Sequence, residues 1–188
     1  QGRNVHPGYA KGKMKNALLI GMELNSLLPA AERPESTEGY DGFFHIISMR
    51  GTVEEADLAY IIRDHDKEQF IHRKTLLSNC IDFINAKYGA GTATLDLKDQ
   101  YYNMKEKVEP YYFIVEKAVQ AMAKESIAAH IQPIRGGTDG ANLSFKGLPC
   151  PNIFAGGHNF HGKMEFVPVE SMEKASKVII DIISLFAE

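Results

Sequence analysis

Three short segments carry side chains able to bind a metal ion or an anion. The first is Asn159-Phe160-His161-Gly162-Lys163-Met164-Glu165, which sets His161 just after a Gly-rich turn that follows an apolar run. In open α/β sheets, ligands bind beyond the carboxyl ends of the strands. A neutral imidazole there is a good zinc ligand, and Glu165 or a backbone carbonyl can hold its second ring nitrogen. The plainer reading is a surface histidine with ordinary hydrogen bonds. His158 stands three residues away, but there is no HExxH pattern and no close carboxylate–histidine pair to complete a metal site.

The second segment is Ile134-Arg135-Gly136-Gly137-Thr138-Asp139-Gly140-Ala141. Its glycines let backbone approach a ligand closely, and Arg135 offers a planar fork that matches a carboxylate. The alternative is a tight turn with a salt-bridged Arg135 and with Asp139 capping a following helix. The P-loop spacing GxxxxGK[ST] is absent, so this is not a phosphate loop. The third segment is Asn4-Val5-His6-Pro7-Gly8, where proline and glycine hold a histidine at the end of an extended stretch. It reads either as a group pointing out of its domain or as a turn histidine facing water. His45, His65, His72 and His130 show no ligand spacing.

The elements that must position these residues follow from periodicity. Ala17, Ile20, Leu24, Leu27 and Leu28 predict an amphipathic helix over 11–28, stopped by Pro29. Residues 33–37 read as a polar loop. Residues 43–49 and 56–63 predict strands joined by a 51–55 hairpin loop. Asp66, with Gln69 three residues on, caps a helix whose face is Phe70, Leu77, Ile81 and Ile84, ended by Gly89-Ala90-Gly91. Ala93, Leu95 and Leu97 alternate as in a half-buried strand. The order is α-β-β-α-β, and one strand before Lys11 completes a split βαβ plan, βαββαβ. Residues 1–5 look like the end of that strand, so the chain reads as one with a truncated start. The absence of a leader then says nothing.

Beyond Tyr102 the pattern changes. Pro110 suits a first helical turn, with Tyr111, Val115, Ala118 and Met122 as its stripe. An extended stretch is expected at 131–134, a short strand at 148–154, and a last helix over 171–186. Such a tail is part of an α/β sandwich and leaves apolar surface uncovered.

Bulk properties narrow the classes. The chain has 188 residues and a formal charge of −3, without the basic stripe a nucleic-acid binder needs. Cys80 and Cys150 have no zinc spacing and make no disulfide framework, which fits a reducing compartment and suits the cytoplasm. The longest apolar stretch, 178–186, is interrupted by Asp181 and Ser184, so no membrane span is expected.

Taken in order, the segments resemble the tripeptidase branch of the M20 family of metallopeptidases. They are Asn4 to Gly12, Gly39-Tyr40-Asp41-Gly42-Phe43, Ile61-Ile62-Arg63-Asp64, Tyr101-Tyr102-Asn103-Met104, Pro133 to Gly140 and Phe160-His161-Gly162-Lys163. The resemblance covers essentially the whole chain. It implies an α+β, ferredoxin-like lid that also dimerises over residues 1–103, its first strand mostly missing, and the returning part of an α/β zinc-peptidase domain over 104–188. It implies a pair of zinc ions in the complete enzyme, a short peptide as substrate and a homodimer through the lid. His161 matches a zinc ligand. Arg135 matches the arginine that holds the peptide's C-terminal carboxylate, with Gly136, Gly137 and Thr138 forming the wall beside it. His6 matches the lid histidine that reaches an active site and stabilises the oxyanion.

No segment matches the family's other zinc ligands, its bridging carboxylate or its general-base glutamate. One ligand does not make a catalytic zinc site, so this chain alone is expected to be inactive. The alternatives are a standalone dimerisation or binding module without catalysis, or another M20 activity on dipeptides or acyl-amino acids.

Overall fold

The computed structural model describes residues 1–100 and 102–187. Tyr101, part of one resemblance segment, lies outside the described residues. The chain forms two compact units: Gln1–Tyr102 with Pro133–Gly136, and Asn103–Gln132 with Gly137–Glu188.

The first unit is built on an antiparallel hairpin, β1 (Phe43–Gly51) and β2 (Ala56–Arg63), paired from Phe43↔Arg63 to Gly51↔Ala56 with a bulge between Ile46 and Ser48. The helix α1 (Ala17–Leu27) starts where Asn16 Oδ1 accepts from the amides of Leu18 (3.0 Å) and Leu19 (3.3 Å). It ends where Pro29 forces Leu28 into extended backbone. Its buried residues Ala17, Ile20, Gly21 and Leu24 have the 3–4 spacing of one face. Gly21 is a close-approach position: a Cβ there would sit 2.9 Å from Met49 Cε and 3.0 Å from Leu58 Cδ1. The second cover is α2 (Lys67–Tyr88), capped by Asp66 Oδ1 on the Gln69 amide at 2.9 Å and closed by Gly89 at φ 108°. Ile20, Leu24, Leu28, Phe44, Leu77, Cys80, Ile81 and Ile84 form the core between helices and hairpin.

The α+β class and the central αββα order match the expectation; the flanking parts differ. The first helix begins at Ala17, not Lys11, because Gly12 takes φ +70° and Asn16 is the cap. The expected strand at 93–97 is absent from the sheet, which has two strands among the described residues. A strand exists only where a neighbour completes its ladder. Residues 1–5 hold a single bridge, Arg3↔Lys15, and the Ala93 backbone is satisfied by the Asn85 side-chain amide in both directions at 2.9 Å.

The second unit contains α3 (Lys105–Val108), α4 (Phe113–Lys124), α5 (Asp139–Phe145) and α6 (Val169–Ala187). Pro110 falls in a 3-10 turn, Glu109–Tyr111, ahead of α4. Ala121, Val178 and Leu185 are buried between α4 and α6, with Met122, Ile127, Phe154 and Ile182 against them. Residues 148–154 form no strand. Pro149 and Pro151 have no amide to donate, and the Cys150 amide goes to Ser144 Oγ at 2.9 Å. The last helix starts two residues earlier than expected. Its far face is apolar and open, with Ile180 63% and Ile183 64% exposed.

Ile84 is fully buried among both helices and the hairpin. Ile84→Ala is expected to cost about 2–5 kcal/mol of stability, read from urea unfolding followed by far-UV circular dichroism. A loss below about 1 kcal/mol would mean that this core does not hold the first unit together.

Candidate functional site

His6 rides on a loop closed at its neck by the Arg3↔Lys15 bridge, whose two amide–carbonyl bonds measure 2.8 and 3.0 Å. Pro7 starts a 3-10 turn, and His6 Nδ1 accepts from the Gly8 amide at 3.1 Å. An accepting Nδ1 puts the neutral imidazole's proton on Nε2. The ring is exposed, 5.4 Å from the Tyr9 ring, and offers an N–H donor outward.

His161 is carried in the same manner. The bridge His158↔Phe166 closes a loop through bonds of 2.9 and 3.2 Å. Inside it Asn159 and His161 take φ 56° and 64°, left-handed backbone that costs a residue like histidine about 1 kcal/mol. The Glu165 carboxylate accepts from the backbone amide of His161 at 2.8 Å. It therefore orients the loop rather than the ring nitrogen, contrary to the partner expected for it. His158 stacks on Phe166 at 5.0 Å.

Arg135 packs within the first unit although its sequence neighbours from Gly137 onward belong to the second. Its Nη1 donates to the Thr37 carbonyl at 2.6 Å, and Nη2 donates to Thr37 Oγ1 at 2.7 Å and to the Asp41 carbonyl at 3.0 Å. Its Cζ lies 5.0 Å from the centre of the Phe43 ring, a cation–π distance. The turn alternative, with a salt-bridged arginine, does not hold: among the described residues Arg135 has no ion pair. Nor does Asp139 cap the next helix. Thr138 does, its Oγ1 accepting from the Ala141 amide at 3.1 Å and from Asn152 Nδ2 at 3.2 Å. Gly136 is exposed, and a Cβ there would meet nothing within 4 Å. Arg135 and Gly136 thus fall in one unit, Thr138 and His161 in the other.

The loop that receives Arg135 is braced by a second arginine. Arg73 pairs with Asp64, their side chains 11% and 5% exposed, and with Glu32 at 3.1 Å. Gly42 is packed so tightly here that a Cβ would stand 2.7 Å from both the Arg63 carbonyl and Arg73 Cζ. His65 meets the Tyr40 ring edge-on at 5.2 Å. Burial holds the His65 imidazole below its ordinary range. The Asp64 charge and a hydrogen bond to the Gly39 backbone oppose this, and the Arg135 charge adds to it. Sequence spacing could not reveal these partners, because Thr37 and Arg135 are 98 residues apart. The only signal was the compact Gly39-Tyr40-Asp41-Gly42-Phe43 string.

Comparison with known proteins gives a consistent picture. Residues 1–92 match the family model of a peptidase dimerisation domain. The chain is 57% identical over 187 residues to peptidase T of Caldanaerobacter subterraneus subsp. tengcongensis, covering 100% of this chain and 46% of that protein. It is 55% identical over 186 residues to peptidase T of Bacillus subtilis, covering 99% and 45%. The chain therefore spans about half the length of the relatives it matches. Among solved structures, an aminopeptidase PepT from Bacillus cereus superposes with a TM-score of 0.65 at 19% identity, over 100% of this chain and 50% of that one. A tripeptidase from Staphylococcus aureus gives 0.64 at 16%, over 98% and 48%.

The position of His65 has a pH consequence. Its folded-state pKa lies below the ordinary 6.5, so the unfolded chain binds the extra proton more readily. The stability His65 contributes is present above pH 6.5 and is lost as pH falls through the folded value. Urea stability measured from pH 7.5 down to 5 is expected to fall less steeply in His65→Gln than in the parent. Equal slopes would show that His65 is not held neutral by this loop.

Proposed function

We propose, for a chain whose first 92 residues belong to the peptidase dimerisation-domain family and whose whole length is related to peptidase T, that it is the lid and closing segment of a zinc-dependent tripeptide aminopeptidase. Such an enzyme releases the N-terminal residue of a tripeptide. Residues 1–103 act as the lid and dimerise with a second copy; residues 104–188 complete the catalytic domain. The enzyme works in the cytoplasm. Among the described residues no helix is long and apolar enough to cross a membrane.

The relation over the full length carries this reading, and the side-chain geometry supports it. Among the described residues no three His, Cys, Asp or Glu side chains gather into a metal-binding group. The described residues therefore do not by themselves fit a zinc ion, which takes about three protein ligands at a catalytic site. His161 supplies one ligand, and the remaining ligands and the general base come from the portion of the relatives that this chain does not span. The open apolar face of α6 suits a helix that the same portion covers.

What this chain's own residues do can be stated without the metal. His6 donates Nε2–H to the oxygen on which negative charge develops as the peptide carbonyl is attacked. Its Nδ1 bond to Gly8 keeps the proton on the outward nitrogen, so the donor is ready before substrate arrives. Arg135 receives the substrate's C-terminal carboxylate. The open space at Gly136 leaves room for the peptide backbone to approach, and Gly137 and Thr138 are further substrate-binding residues.

Two preparations test the reading. The 188-residue chain alone is expected to hold less than one zinc per chain and to leave tripeptides intact. Fused to the N-terminal portion of the Bacillus subtilis relative, it is expected to bind about two zinc ions and release N-terminal residues from tripeptides. In that fusion His161→Ala loses zinc, and His6→Ala lowers kcat by about 100–1,000-fold with KM little changed. A folded, zinc-loaded fusion that leaves tripeptides uncut would overturn the assignment.

A further inference from the structure

Thr37 meets the guanidinium of Arg135 twice, once with its carbonyl and once with its hydroxyl oxygen, on adjacent terminal nitrogens. The same hydroxyl donates its proton to the Arg33 carbonyl at 2.8 Å. With the proton committed there, its lone pairs remain for Arg135 Nη2. Thr37 is itself fixed. It follows the 3-10 turn Pro34–Ser36, and the loop after it is tied by the Asp41 amide on the Glu38 carbonyl at 2.9 Å and the Glu38 amide on Asp41 Oδ2 at 3.1 Å.

Arg135 lies in a stretch without helix or strand, beside Gly136. Its own backbone does little to fix a side chain with four rotatable bonds. The Thr37 pair and the Asp41 carbonyl fix the plane of the fork, and the Phe43 ring lies against it. Every one of these partners is neutral. Arg135 Nε is buried and has no hydrogen-bond partner. A guanidinium is always charged and carries five donors. Here three are in use, the charge is unpaired among the described residues, and the plane is set in advance.

We propose that Thr37 is a positioning residue for Arg135, holding the guanidinium in the orientation that receives the carboxylate of the peptide substrate. This rests on the reading of Arg135 given under Proposed function. Thr37 acts through Arg135 and makes no contact with substrate. Pre-setting the guanidinium lowers the ordering cost of binding, so its loss weakens binding and leaves the chemical step alone.

The test uses the zinc-loaded fusion enzyme and two substrates, a free-acid tripeptide and the same tripeptide with a C-terminal amide. Thr37→Val removes the hydroxyl and keeps the shape. It is expected to raise KM for the acid about tenfold with kcat within about twofold, and to leave KM for the amide at the parent's value. Thr37→Ser restores the hydroxyl and the parent's KM. If Thr37→Val does not fold, Thr37→Ala replaces it. A KM raised equally on acid and amide, or a serine variant that behaves like valine, would sink the proposal. Arg135→Ala separates the two layers. If it discriminates between acid and amide while Thr37→Val does not, the positioning role fails and the reading of Arg135 stands. If Arg135→Ala treats acid and amide alike, the reading of Arg135 fails and takes the positioning role with it.

Discussion

A two-stranded hairpin does not hold itself together in water. In the first unit β1 and β2 persist because α1 and α2 cover one face and bury Phe44 against Ile20, Leu24, Ile81 and Ile84. The polar machinery hangs on the register of that hairpin. Pairing of Phe43 with Arg63 brings the residues just before β1 beside those just after β2, so Gly42 comes against Asp64 and Tyr40 against His65. In the second turn of α2, Arg73 reaches both Asp64 and Glu32. Slipping the register by one residue would turn the apolar set outward and scatter the loop that holds Arg135. Fold stability and site geometry are one problem in this unit.

The two candidate histidines are solved differently from the arginine. Each sits on a loop closed by a single antiparallel bridge, Arg3↔Lys15 for His6 and His158↔Phe166 for His161. A closed neck fixes where the loop emerges and leaves the tip free of the ladder. Inside each loop a local bond then sets the histidine: the Gly8 amide on the His6 ring, the Glu165 carboxylate on the His161 amide. The first fixes a tautomer, the second fixes a strained backbone. Neither bond occupies the outward ring nitrogen of His6 or the ring of His161.

Local signals in the sequence were legible wherever the decisive bonds are local. The Asp66 cap, the stop at Pro29 and the Gly89 ending depend on partners within a few residues, and the two strands of the hairpin are joined directly by one short turn. The third strand does not form among the described residues, because alternation at Ala93, Leu95 and Leu97 describes a face and not a neighbour. Ala93 is satisfied by Asn85 instead of a ladder. The 148–154 strand failed for a readable reason, two prolines in seven residues, which the apolar pattern outweighed. His6, Arg135 and His161 stood out by residue type and glycine context. Thr37 did not, because it looks like any loop threonine until the chain brings position 135 to it.

The two arginines beside the Thr37–Gly42 loop show how much the surroundings decide. Arg73 and Arg135 both approach the same few residues and carry the same charge. Arg73 meets two carboxylates, one of them nearly buried. Removing Arg73 would strand the nearly buried Asp64 carboxylate, so Arg73 is tied to the fold. Arg135 meets two carbonyls, one hydroxyl and a ring face. Those groups orient a cation without cancelling it. An oriented, uncancelled guanidinium with a buried open donor is costly to the fold unless something negative arrives, whereas a fully paired one gains nothing from an anion. The sheet register brings the Asp64 carboxylate to Arg73, while among the described residues no carboxylate pairs with Arg135, so the same charge is cancelled at one position and left uncancelled at the other.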